Sequence, residues 1–421
     1  MKSFAMKPLA LFLAMVGASA SFAGGPGSTG GVALKIPVGA RPTAMGGAFT
    51  GLADDGNALF ANPAGLATLS SPELLLAHAM YLAEINYEAL GYIQPLQPLG
   101  TLGLGINMMN YGNLDRSLER ADGMFGGLAG ATNPQDLFVT AGWGSALPPF
   151  FGMERFRAGA ALKRTFQQLT GGTVGGAGAV LGALWDTPAQ GLRLGTMVDN
   201  LGGVATLGRM LPVTWVAGAS LSAPMGPDFS AVYAADTRLA IDTTAVFSLG
   251  GELTAFNILI LRGGWRGGGE VGGPSFGAGA RTPLSWFRTK FMLKLDYAVA
   301  SSGELGRSQR FQLTAMFGSF GSVIQGGSIR RDPDGGEAVL TWQGRGPAYE
   351  VYYRRPDEGE WTKLTDQAVT ETNYPLMGLA PGRYIFRIVT VNPLRPDWRG
   401  PVSREIDLEI TGNDESGRST P

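Results

Sequence analysis

The sequence predicts an all-β protein whose main part is an antiparallel β-barrel of about fourteen strands, and three observations predict it. From about residue 73 to residue 320, apolar residues alternate with polar or tiny ones. In one segment Phe291, Leu293, Leu295, Tyr297 and Val299 oppose Lys290, Met292, Lys294, Asp296 and Ala298. A period of two is the period of a strand, so one side meets an apolar medium and the other meets water or small polar groups. An export signal stands ahead of these segments, and beyond it no run is long and apolar enough for a spanning helix. Many strands in an exported chain point to a transmembrane barrel in the outer membrane of a Gram-negative-type bacterium, since a closed ring satisfies every backbone group internally.

The export signal is read from Lys2 and Lys7, an apolar run over 8–16, and small residues at Ala18, Ala20, Ser21 and Ala23. Residues 1–23 are therefore set aside from the fold. Glycine supplies 65 of 421 residues and charged residues only 16%, a balance suited to a barrel with tiny residues along its lumen. A net charge of −1 gives no electrostatic footprint for nucleic acid. The absence of cysteine excludes disulfides, thiolate metal sites and a lipoprotein anchor.

Fourteen strand segments are expected near 73–80, 85–95, 99–110, 136–147, 155–169, 174–186, 191–199, 213–224, 229–241, 245–255, 257–266, 275–284, 289–300 and 308–318. Leu102, Leu104, Ile106 and Met108 alternate well against Thr101, Gly103, Gly105 and Asn107; 174–186 and 245–255 alternate weakly. Connections after even-numbered strands read as short, and those after odd-numbered strands include the long ones at 111–135, 200–212, 267–274 and 301–307. In outer-membrane barrels the short turns are periplasmic, which would put both ends of the barrel region on that side. Trp143, Tyr233, Phe291, Tyr297, Phe311 and Phe317 fall on apolar faces, as an aromatic girdle would, and outer-membrane lipid is the expected surrounding. The final strand ends in such a row, which resembles the signal read by barrel-assembly machinery.

Ahead of the first strand, 24–72 does not alternate. Gly46 and Gly47 permit close backbone approach, Asp54 or Asp55 can cap a short helix, and Asn62 with Pro63 can start another. Such a segment suits a plug inside the lumen. The run ARPTAMGGAF…ADDGNALFANPAGL (Arg41, Gly46, Gly47, Asp54, Asp55, Asn57, Asn62, Pro63 and Gly65 within it) followed by a strand-rich region resembles the PorV/PorQ group of FadL-like outer-membrane proteins. That resemblance covers about 24–320 and implies a fourteen-stranded barrel with an N-terminal hatch. FadL-like proteins pass hydrophobic compounds inward, and PorV-like proteins serve the type IX secretion system. The departure is the charge-rich region beyond residue 324, since members usually end at the last strand.

That region, 325–411, carries its own alternation in Tyr349, Val351 and Tyr353, in Tyr384, Phe386 and Ile388, and in Ile406, Leu408 and Ile410. It resembles a fibronectin type III, Ig-like β-sandwich, in which Tyr384 would make the corner hydrogen bond. The topology would place it in the periplasm, with 412–421 a disordered tail.

No catalytic or metal constellation emerges. His78 is the single histidine, which removes His-based triads and clusters. Asp54, Asp55 and Asn57 fit helix capping better than a calcium loop. A formal G-x-G-x-x-G at 267–272 leads into a strand and so does not read as a dinucleotide site. Arg157, Lys163, Arg193, Arg238, Arg262, Lys290, Lys294 and Arg310 fall on polar strand faces, with Asp199, Asp236 and Asp296 fewer. They could guide an amphiphile's carboxylate or form internal ion pairs with the plug, and the second reading is preferred. No enzyme and no cofactor is expected. Three roles are expected in order: a PorV/PorQ-type component with secretion-system subunits or cargo as partners, a channel for hydrophobic small molecules such as long-chain fatty acids, and an envelope tether acting through the sandwich.

Overall fold

The computed structural model describes residues 25–410 except positions 26, 70, 97–98, 150–154, 170–171, 205–207, 226–228, 257, 270–271, 282–290, 318–324, 332–337, 344–347, 372, 377–378, 381, 393–394 and 403–404. The expected signal peptide, the polar tail and Lys290 therefore lie outside the described residues. The chain divides into two compact units, residues 1–281 with 293–316 and residues 282–292 with 317–421.

The first unit is a closed barrel. Its fourteen strands are β1 (Glu73–Met80), β2 (Asn86–Pro95), β3 (Thr101–Asn110), β4 (Gln135–Ala146), β5 (Phe156–Leu169), β6 (Gly172–Asp186), β7 (Leu192–Val204), β8 (Thr214–Pro224), β9 (Phe229–Ala240), β10 (Val246–Ala255), β11 (Leu259–Gly268), β12 (Gly273–Arg281), β13 (Phe291–Ser301) and β14 (Arg307–Phe317). Each strand pairs with its sequence neighbours, and β1 pairs antiparallel with β14, Glu73 opposite Met316, so no edge is left open. All fourteen expected segments form strands, and β7 runs five residues further than its alternation suggested.

The alternation sorts inside from outside as expected. On β3 Leu102, Leu104, Ile106 and Met108 point outward and are exposed, whereas Thr101 and Asn107 are buried. Leu162, Leu181, Tyr233, Leu249, Leu261 and Phe276 continue the exposed apolar wall around the ring. A polar pair on β1 and β2 interrupts it there. His78 and Glu88 face each other across the β1–β2 register on the outward side, with Nδ1 2.6 Å from Oε1.

Loop asymmetry is weaker than expected. The connections at 269–272 and 302–306 are short, and the difference between rims rests mainly on 111–134. That loop folds into its own hairpin, Leu114–Glu119 against Phe125–Thr132. The rim carrying turns after even-numbered strands is called the even rim below, and the opposite one the odd rim.

In the second unit, Gln325–Arg331, Ala338–Gln343 and Asn373–Pro375 make one antiparallel sheet. Thr362–Lys363, Ala348–Arg354, Gly382–Asn392, Arg395–Val402 and Ile406–Ile410 make another. Leu340 and Trp342 of the first share a buried core with Tyr349, Val351, Phe386 and Ile388 of the second. Trp342 meets Tyr349 edge-on, ring centres 5.4 Å apart. Tyr384 is buried and its hydroxyl donates to the carbonyl of Ala380 at 3.0 Å. Removing that donor leaves the carbonyl with one partner fewer, so Tyr384→Phe should cost about 1 kcal/mol. Limited proteolysis should then cut within 325–410 about fivefold faster, and an unchanged rate would deny the bond a stabilising role.

Candidate functional site

The lumen is where the functional arrangement lies, because the segment ahead of β1 threads through it from rim to rim. At the odd rim Gly30 N–H donates to Met210 O at 2.9 Å, and Thr29 and Lys35 donate to Asp242 at 2.5 and 2.9 Å. Near the even rim the turn Pro63–Thr68 packs against β4, β5 and β6 and leads on to β1. Between them Met45, Phe49, Leu52, Leu59 and Leu66 form the principal apolar core with Ile93, Leu184 and Val232 of the wall. The barrel is thus filled by its own N-terminal segment.

A cluster of seven charges pins this plug. Arg41 sends Nη1 to Asp54 at 2.5 Å and to Asp55 at 2.9 Å, and grips Glu252 of β10 bidentately at 2.8 and 2.9 Å. Arg262 of β11 joins Glu252 at 2.5 Å and Asp296 of β13 at 2.7 Å. Lys294 lies 3.5 Å from Asp55 and 3.3 Å from Asp296. Four carboxylates therefore meet three cations, every side chain about a tenth exposed or less.

The irregular plug leaves backbone groups that no helix or sheet satisfies, and wall side chains take them up. Asp236 accepts from Phe49 N–H at 3.0 Å and Thr50 N–H at 2.8 Å; Glu73 accepts from Gly56 N–H at 2.8 Å; Gln312 accepts from Ala40 N–H at 3.0 Å. Arg193 donates to Leu52 O at 3.0 Å and Ser220 to Gly51 O at 2.9 Å. Asp55 caps the short 3₁₀ turn Gly56–Leu59 through Asn57 N–H. Asn62 caps Pro63–Thr68 and also donates to Thr50 O and to Ala183 O of the wall, at 3.0 and 3.2 Å.

Inward-facing glycines give this segment its space. A Cβ at Gly144 or Gly159 would land on the backbone around Pro63, one at Gly182 on the Asn62 side chain, and one at Gly264 on the backbone of Met45 and Gly46. Gly46 itself has φ +68° and lies so close to Trp265 and Leu249 that no side chain fits. Much of the glycine excess is thus the imprint of the plug on the wall.

Of the charges expected in the lumen, Arg157 and Arg193 share Asp186 at 2.8 and 2.6 Å, and Lys163 reaches Asp199 at 2.5 Å. Arg262 and Lys294 belong to the plug cluster. Gly47 and Gly65 lie within the plug, Gly65 with its backbone against Ala53. Arg238 is half-buried and Arg310 fully buried, and neither meets a carboxylate among the described residues. Arg266 was not singled out by sequence, although its place on the Arg262–Gly264–Arg266 face of β11 could have put it inward. Arg266 and Arg310 line a cavity of about 380 Å³ at the odd rim, between plug and wall.

Residues 9–140, the first third of the chain, match the model of the Uncharacterised protein family (UPF0164). No curated protein matches the sequence. Among solved structures, the Pseudomonas putida toluene transporter TodX is similar over 66% of this chain and 96% of its own, at 14% identity and a TM-score of 0.44. The CymD monoaromatic hydrocarbon channel is similar over 67% of this chain and 97% of its own, at 13% identity and 0.44. For the Acinetobacter baumannii outer membrane protein Omp33 the values are 59%, 97%, 10% and 0.36.

Proposed function

We propose that this chain is a non-enzymatic outer-membrane barrel that stays closed and serves as a secretion-linked component of PorV/PorQ type, with its second unit on the periplasmic side. The observation that carries this reading is the plug: it is fixed at the odd rim through Asp242, in the middle through Arg41, and near the even rim through Asn62. A conduit needs a mobile obstruction, whereas this one is interlocked with a wall that lacks Cβ atoms where the plug's backbone passes. The exposed apolar wall fits lipid and the sealed ring fits a membrane span.

A second reading, a FadL-like channel for hydrophobic compounds, is favoured by the half-apolar cavity at the odd rim. Reconstitution in planar bilayers separates the two. The closed reading expects no conductance steps at moderate voltage and co-purification of secretion-system subunits after gentle detergent extraction. Steady conductance, or uptake of long-chain fatty acid or aromatic hydrocarbon by cells carrying the barrel, would replace it with the channel.

A further inference from the structure

The cavity at the odd rim gathers arginines that no described carboxylate pairs. Arg41, Arg157, Arg193 and Arg262 each face a carboxylate. Arg266 and Arg310 line the cavity, and neither has a carboxylate partner among the described residues. Arg310 is only 3% exposed; one of its terminal nitrogens donates to Thr43 of the plug, and its Nε has no partner. The Nε of Arg266 is likewise buried and unpartnered. Arg310 is held away from water and Arg266 partly so, with no described carboxylate to offset either charge; that is costly, and an anion that enters reduces the cost.

The walls say which anion fits. Ser301, Ser302 and Ser308 line the same cavity with short hydroxyls, while the Ser275 hydroxyl donates to Ala44 O. A single carboxylate would neutralise one arginine and leave the other buried and uncompensated. A phosphate monoester carries close to two charges and three acceptor oxygens, which matches two guanidinium forks and a ring of hydroxyls. Val32, Ile36 and Pro37 of the plug and Met109 of β3 add apolar lining beside Lys35, Tyr81 and Tyr111, and the cavity is large enough to hold more than the phosphate alone.

We propose that this cavity binds a phosphate monoester carried on a short apolar stem, its dianion held between Arg266 and Arg310. The inference stands on the cavity alone and does not depend on whether the barrel conducts or serves secretion. The test is calorimetric titration of the full mature chain in dodecyl maltoside, at about pH 8 where the monoester is doubly ionised. Phenyl phosphate should bind at least tenfold more tightly than benzoate. Arg266→Gln and Arg310→Gln should each weaken it about tenfold or more, and Arg266→Lys should recover most of the loss. Arg266 makes no hydrogen bond to the plug among the described residues, so its variants read binding without disturbing the fold.

Equal binding of benzoate would overturn the proposal, as would phenyl phosphate affinity untouched by both glutamine variants. Inorganic phosphate matching phenyl phosphate would overturn the ester assignment and mean that free phosphate fills the site. Glu270 lies outside the described residues, and binding that arises only in Glu270→Gln would assign the counter-charge to that carboxylate and overturn the site.

Discussion

Arg41→Met is expected to cost about 3–5 kcal/mol of stability, the range for removing one partner from a buried ion cluster. Methionine keeps most of the volume, so the loss is electrostatic. Asp54, Asp55 and Glu252 are only 4%, 6% and 8% exposed around this one guanidinium. Without it, Arg262 and Lys294 remain as the cations facing four carboxylates. The plug's own acids then repel the wall's, and the unfavourable burial is no longer offset. Adding Asp54→Asn in the Arg41→Met background removes the carboxylate left without a cation among the described residues and should restore part of the loss, a coupling that a double-mutant cycle isolates. Urea unfolding of the detergent-solubilised protein reads both steps. A loss below about 1 kcal/mol would show that water reaches the cluster and that the plug is held by packing instead.

The strands were legible because each turns one face to an apolar medium, and period two survives in the residues themselves. It was faint in Gly172–Asp186, where Gly176, Gly178 and Gly182 face inward and Ala177, Ala179 and Ala183 stand beside them. Tiny residues on both faces carry no contrast, and the cause is the plug: Asn62 occupies the space in front of Gly182. The plug's identity as a plug was also legible, from its lack of alternation and its capping residues. Its partners were not. Arg41 finds Glu252 across 211 positions of sequence, a meeting fixed by ring closure and strand stagger, which no local pattern encodes. Arg310 could be placed in the lumen by parity alone, yet that no described carboxylate pairs with it becomes visible only in the fold. The Tyr384 hydrogen bond in the second unit is local, spanning four residues, and so lay within reach of sequence reading.

Gly264→Val and Gly263→Val differ by one position on β11 and should differ entirely in outcome. A Cβ at Gly263 meets nothing within 4 Å, whereas one at Gly264 lands on the backbone of Ala44, Met45 and Gly46. Both substitutions favour a strand equally, so β propensity cancels. At Gly264 the obstacle is backbone, which cannot rotate aside, and Gly46 is already pressed against Trp265 and Leu249. Overpacking of this kind costs about 1–3 kcal/mol where neighbours can shift and more where they are pinned. Here the cheaper response is for the plug to leave its seat, taking Arg41 out of the carboxylate cluster with it. Gly264→Val should therefore expose Lys35 to trypsin and produce conductance steps in planar bilayers, while Gly263→Val stays within about 0.5 kcal/mol of the parent and remains closed. Matching behaviour of the two variants would mean that the plug yields without strain, and the closed-barrel function would lose its physical basis.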